Sequence, residues 1–199
     1  MFARVVTFTG VRDIDAAVAY IRDTALPIIR SQRGYKGLNA SADRSGGVLG
    51  TLSLWATEAD RDASESALAK AREDAAQMMG AQMTVETFDE RVVEVSRPPK
   101  VGSVLMLTRV AMDPAKIDEN TEFFGREVAP QIKAQAGFQA LRNMMNPQTG
   151  EGMVGTTWDD ADAMQAAAAE AQARRGEAAE RGVTFTEIST REIVLTDSP

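Results

Sequence analysis

The chain has 199 residues, a formal charge of -7 at pH 7, 44% hydrophobic residues, no cysteine and no histidine. Without cysteine there is no disulfide, thiolate nucleophile or thiolate metal site, and without histidine there is no imidazole base or ligand and no Ser-His-Asp mechanism. The acidic balance argues against a phosphate-neutralising groove or an anionic membrane surface, and no run of eighteen apolar residues offers a membrane span.

The N-terminus "MFARVVTFTG" has no signal-peptide core and alternates instead, with Val5, Thr7 and Thr9 on one face and Arg4, Val6 and Phe8 on the other. That predicts a first strand. Asp13 caps a helix whose stripe is Ile14, Val18, Ile21, Ala25 and Ile28. Pro27 lies inside this pattern and predicts a kink or break, and Gly34 ends the helix. Strands near 35–43 and 47–56 flank the turn "DRSGG". Thr57 with Asp60 starts a second helix. There Ala59, Ala63, Ala67, Ala71 and Ala75 suggest a small-residue face lying close to a sheet. Gly80 stops that helix, and "MTVETFDERVVEVS" is a long last strand.

The same order then recurs. "SVLMLTRVAM" is a strand, Asp113-Pro114 starts a helix striped by Ile117, Phe124, Val128 and Ile132, and "NPQTG" turns a hairpin. An alanine-rich helix from about Asp160 to Arg181 and the strand "VTFTEISTREIVL" complete it. Pro27 and Pro130, Gly34 and Gly137, and the only two tryptophans, Trp55 and Trp158, each lie 103 residues apart. At the end the offset is read as 100, aligning Arg91 with Arg191. "SRPPK" at 96–100 reads as a linker between repeats 1–97 and 98–199.

Two copies of β-α-β-β-α-β predict an α+β chain of two tandem ferredoxin-like units. Apolar residues on both faces of the first strands predict that the antiparallel sheets pack face to face as an intramolecular α+β barrel.

The Gly-aromatic steps (Gly34-Tyr35, Gly137-Phe138), the preceding "LPIIRSQ" and "APQIKAQ", and the tryptophan before an acidic helix start ("LWATEAD", "TWDDADA") carry a family resemblance. The pattern resembles the antibiotic biosynthesis monooxygenase family of the dimeric α+β barrel superfamily, in a tandem single-chain form. The family includes cofactor-independent oxygenases of quinols and phenols and haem-degrading enzymes. The haem-degrading branch has a histidine ligand after the strand tryptophan, at positions filled here by Ser64 and Ala167, and an asparagine on the first strand, nearest to Thr7 and Met106. Both features are missing in both halves, so haem degradation is not expected.

The resemblance implies two readings. One is a cofactor-independent monooxygenase acting on a small phenolic or quinol compound. The other is a non-catalytic small-molecule-binding or scaffold protein of the same fold. Neither calls for a cofactor or metal. The expected partner is a small apolar or aromatic molecule, with no nucleic acid and no membrane, in a cytoplasmic internal pseudo-dimer that could assemble further. No catalytic residue is assigned. Candidate pocket residues are Thr7, Tyr35, Asn39, Trp55, Met106, Phe138, Arg142 and Trp158. Trp55 and Trp158 either stack on a flat ligand or simply pack, and packing is the simpler reading. Only Tyr35, not Phe138, has a hydroxyl to donate. The methionines of the second half fit either a soft cavity or core filler. More polar groups remain in the first half, which is where a site is expected first.

Overall fold

Alternation makes the first strand: in β1 (Phe2–Thr9) every residue from Ala3 to Phe8 is buried, so both faces are covered. The structure, a computed structural model, describes residues 1–197 apart from the side chains of Ala173 and Arg174. After β1 come α1 (Ile14–Tyr20), α2 (Leu26–Arg30), β2 (Tyr35–Asp43), β3 (Val48–Trp55), α3 (Glu58–Ala63), α4 (Glu65–Met79) and β4 (Gln82–Val95). They are followed by β5 (Val104–Ala111), α5 (Ile117–Phe123), α6 (Ala129–Lys133), β6 (Phe138–Met145), β7 (Glu151–Trp158), α7 (Ala161–Glu180) and β8 (Thr184–Asp197). The chain is α+β, with neighbouring strands in the order β4-β1-β3-β2-β8 in the first unit and β8-β5-β7-β6-β4 in the second. Among the described residues no helix is long and apolar enough to cross a membrane.

Packing divides the chain into two units, Met1–Thr87 with the stretch from Glu192 onward, and Phe88–Arg191. The long strands β4 and β8 each begin in one unit and end in the other. In the first unit β3 lies between β1 and β2, and the end of β8 pairs with β2. In the second, β7 lies between β5 and β6, and the end of β4 pairs with β6. The first core is built on Val6, Phe8, Ile14, Ile21 and Leu49, with Ala75 and Met79 from α4. The second is built on Met106, Phe138, Leu141 and Trp158, with Met164 from α7.

The cap residues act as the sequence suggests. Asp13, Thr57 and Asp160 each accept a backbone N–H three residues on, at 2.9, 3.1 and 2.9 Å. The break expected at Pro27 lies just before it, as a π turn over Ile21–Ala25 in which the Leu26 N–H reaches back to the Ile21 carbonyl. Proline has no N–H and its ring crowds the carbonyl four residues back, so the turn widens. Pro130 follows an equivalent π turn over Phe124–Val128, closed by Ala129 N–H on Phe124. The wider turn adds a residue and rotates the stripe. Ile28, expected in the core, is 37% exposed, while Leu26 is buried.

The alanine face is also corrected. Ala59, Ala63 and Ala67 are exposed, and the inward face carries Arg61, Ser64, Leu68, Ala75 and Met79. So is the offset of 100. Leu38 pairs with Asp197 and Leu141 with Glu94, so the last strands keep the separation of 103 that relates Leu38 to Leu141.

Each unit's sheet therefore needs a strand end from the other sequence half. Residues 1–97 expressed alone would leave β2 and β4 as long unpaired edges. The expected product is insoluble protein or a homodimer by light scattering after gel filtration; a monomer that unfolds cooperatively would contradict the pairing.

Candidate functional site

Trp55 ends β3 and Trp158 ends β7, and both are fully buried. Each indole N–H donates to the hydroxyl two residues earlier on its own strand, Ser53 at 3.1 Å and Thr156 at 3.0 Å. Residues two apart on a strand share a face, so the strand satisfies its own tryptophan. An aromatic ring meets each indole edge-on: Tyr35 at 6.0 Å and Phe138 at 5.6 Å, both at 75°. The glycines before these rings sit at φ 76°, and a Cβ there would come within 2.4 Å of Asp60 or 2.5 Å of Ala163. The Gly-aromatic step is a joint between strand and helix. Trp55, Trp158 and Phe138 pack in it and line neither of the cavities described below.

The Tyr35 hydroxyl donates to Asp197 Oδ2 at 2.6 Å, and Arg30 grips both oxygens of the same carboxylate, Nε to Oδ2 at 2.9 Å. Burial, then the bond to Asp197, pushes the Tyr35 hydroxyl far above its ordinary value. It keeps its proton and serves as a donor rather than a base. Arg30 first, with Tyr35 adding to it against the effect of burial, holds the Asp197 carboxyl below the usual range. Lys133 and Glu94, 103 residues from Arg30 and Asp197 in opposite directions along the chain, make the corresponding pair at 2.7 Å. There Phe138 supplies no hydroxyl.

A cavity of about 150 Å³ lies in the second unit between the sheet and the helices. Met106, Thr108 and Val110 of β5 and Val154 and Thr156 of β7 form its floor, and Phe124 and Val128 of the π turn form one wall. Asn143 of β6 also lines it. This residue is 5% exposed, and its side-chain oxygen accepts no hydrogen bond. An unpaired buried amide oxygen costs about 1–3 kcal/mol. Beside the cavity a polar cleft of about 420 Å³ shares Phe123, Val128, Glu177 and Arg181 with it. The Arg181 guanidinium lies 3.6 Å from the centre of the Phe123 ring, where cation and π face attract.

The first unit's cavity, in the corresponding place, is about 40 Å³. The strand register explains the difference. Phe2 pairs with Trp55 and Val104 with Trp158, so Arg4 opposite Ser53 corresponds to Met106 opposite Thr156. Met106 is therefore the counterpart of Arg4, and Thr7 that of Arg109. Arg4 is 3% exposed, and its guanidinium lies 5.8 Å from the Trp55 ring centroid. It donates to Ser64 Oγ at 2.8 Å and the Arg61 carbonyl at 2.7 Å, and pairs with Glu65 at 3.0 Å. Burial, and the neighbouring guanidiniums of Arg72 and Arg61 against the pull of Glu65, lowers its hold on the proton, yet an arginine starts so high that it stays charged. Ser64 is spent on Arg4.

Of the eight residues singled out by sequence, the structure brings only Met106 to the larger cavity. Arg142 pairs with Glu90 on the face opposite Asn143. Thr7 is buried on the face of β1 away from Arg4, and Asn39 is half-buried, paired with Leu52 and Thr196. The larger cavity is in the second half, not the first. Asn143 was within reach of the alternation argument, as the polar residue on the same face as Leu141. Arg4 gave no signal beyond being a charge in an apolar strand.

No family model matches the chain. Two uncharacterized proteins of Mycobacterium tuberculosis, Rv2557 and Rv2558, are 26% identical over 152 residues, which is 76% of this chain and 68% and 64% of theirs. Among solved structures, a candidate monooxygenase from Fusobacterium nucleatum superposes with a TM-score of 0.73 at 10% identity, covering 99% of this chain and 94% of that one. An anthrone oxidase-like protein gives 0.71 at 15%, covering 99% and 92%. A Listeria monocytogenes ferredoxin-fold protein related to antibiotic biosynthesis monooxygenases gives 0.52 at 9%, covering 100% and 95%. The chain shares their fold. Identity this low extends to nothing more.

The Arg30–Asp197–Tyr35 cluster predicts a pH-dependent stability. Asp197→Asn should cost about 1–2 kcal/mol near neutral pH, Arg30 being half exposed. Because the folded carboxyl is depressed, the contribution is complete above the ordinary value of about 3.9 and is lost as pH falls through the lower folded one. Urea midpoints of the two proteins should converge in acid; a gap independent of pH would contradict the assignment.

Proposed function

We propose that the protein is a tandem single-chain relative of the antibiotic biosynthesis monooxygenases, with sequence repeats 1–97 and 98–199, and that its second-half cavity binds a single-ring phenol or quinol. The observation that carries this is a ring-sized apolar cavity with one unpaired buried acceptor, Asn143 Oδ1. A cavity of about 150 Å³ with apolar walls accepts one benzene ring, whereas a tricyclic anthrone would need far more room. A phenolic O–H supplies the donor that Asn143 lacks, and the ring rests on Met106, Phe124 and Val128.

The names of the structural neighbours support oxygen chemistry on that ligand. The substrate would supply all the electrons and two hydrogens. One atom of O₂ would enter the ring and the other would leave as water carrying those two hydrogens. The chain's part would be to hold the ring, hydrogen-bond its oxygen and keep water out. The second reading is binding without turnover. It is favoured by the lining itself, whose charged side chains among the described residues are two arginines and one glutamate near the end of α7, Arg175, Arg181 and Glu177.

Hydroquinones and substituted phenols, offered with an oxygen electrode and product mass spectrometry, separate the two. Oxygen uptake with a product one oxygen heavier and two hydrogens lighter than the corresponding quinol supports the monooxygenase; a saturably bound ligand recovered unchanged supports the binder. Failure of every ring compound to bind contradicts both. Asn143→Leu removes the unpaired acceptor and fills space, so it should raise stability by about 1 kcal/mol while weakening phenol binding at least tenfold. Undiminished phenol affinity in that variant would show that Asn143 does not hold the ligand.

A further inference from the structure

The geometry points to a separate anion site in the first unit, built to take a short-chain monocarboxylate. Arg4 and Arg72 both line the 40 Å³ cavity. The Nε of each is buried and donates to nothing. The outer nitrogens of Arg4 are already committed, to Ser64, the Arg61 carbonyl and Glu65, and Nη2 of Arg72 holds the same Glu65. Two guanidiniums thus share one carboxylate, and Arg61 has partners of its own in Glu58 at 3.1 Å and Asp62 at 2.9 Å. Arg4, Arg72 and Glu65 carry a net charge of +1, set against -1 on the neighbouring Arg61, Glu58 and Asp62, so the site suits at most a single negative charge.

The rest of the lining fixes the remainder of the ligand. Val6, Phe8, Ile21, Leu38 and Leu68 are apolar, which suits an alkyl tail. The volume corresponds to about three water-sized positions, room for the carboxylate itself, so only a short tail can follow it along the apolar lining. A phosphate brings too much charge and no apolar part. Glu65, about half exposed, is the most exposed of the three groups Arg4, Arg72 and Glu65. The second unit has lost this site by having Met106 where Arg4 stands. The two cavities would therefore select ligands of opposite character: a neutral ring in one and a small acid in the other.

Arginine Nε–H resonances in ¹⁵N-labelled full-length protein, titrated with sodium propionate against sodium chloride, test the site. The expected result is a saturable shift of the Arg4 and Arg72 signals with propionate at about 1 mM or below, and none with chloride. Arg4→Met, which installs the second unit's residue, should weaken binding at least tenfold. Should that variant not fold, Arg72→Lys keeps the charge, removes the Nε donor and should weaken binding about fivefold. No saturable shift, equal shifts with chloride, or full affinity in the folded variant would each overturn the site and leave a pair of arginines satisfied by water.

Discussion

A guanidinium inside a sheet–helix layer has to be supplied with acceptors, and Arg4 shows what that requires of the chain around it. Removing such a charge from water costs several kcal/mol unless it is paired and hydrogen-bonded. The acceptors come from the start of the second helical segment: Ser64 Oγ, the Arg61 carbonyl and Glu65. A carbonyl that leaves the helical ladder to meet a side chain accompanies a break in the helix, and here α3 ends and α4 begins at Ser64. The corresponding strand position in the other unit is Met106, which asks for nothing. There α7 runs for 20 residues without a break and a ring-sized space stays open above the sheet. The difference at this one strand position thus goes with the differences in helix continuity and cavity size between the units.

Around that difference the two halves keep the same joints. The tryptophan donates to a hydroxyl two residues back, meets an aromatic ring edge-on and lies beside a glycine that no larger residue could replace. A proline widens the preceding turn to π geometry in both. A cation at the end of the short helix grips an acid on the last strand, Arg30 on Asp197 and Lys133 on Glu94. These joints fix the layer spacing, so the floor of each cavity can change residue without the layers moving apart. The π turns also deliver Phe124 and Val128 to the larger cavity, in keeping with the frequent placement of such turns at functional sites.

The elements were legible because they rest on local rules. Alternation gave β1, cap residues gave the helix starts, glycine and asparagine turns gave both hairpins, and the paired tryptophans gave the spacing of 103. What was lost depends on contacts across the fold. Ile28 left the core because a single wide turn shifted the helix phase. The alanine series misled because alanine is indifferent to burial, while Arg61 and Ser64 face inward to serve Arg4. The last strands looked displaced by three residues until pairing with β2 and β6 fixed their register. The candidate residues were aromatic, polar or soft side chains on strands, and most are consumed by packing or by internal bonds. Asn143 was as open to the ligand reading as its neighbour Arg142; what separates the two, the missing partner of its side-chain oxygen, no one-dimensional pattern displays.

Met106, where the other unit has Arg4, leaves a ring-sized, largely apolar space beneath the π turn of the second unit. Xenon diffuses into apolar cavities of this size and scatters strongly. Crystals of the unliganded protein held under xenon should show a strong anomalous peak in contact with Met106, Phe124 and Val128. An absence of xenon at that position would contradict the account.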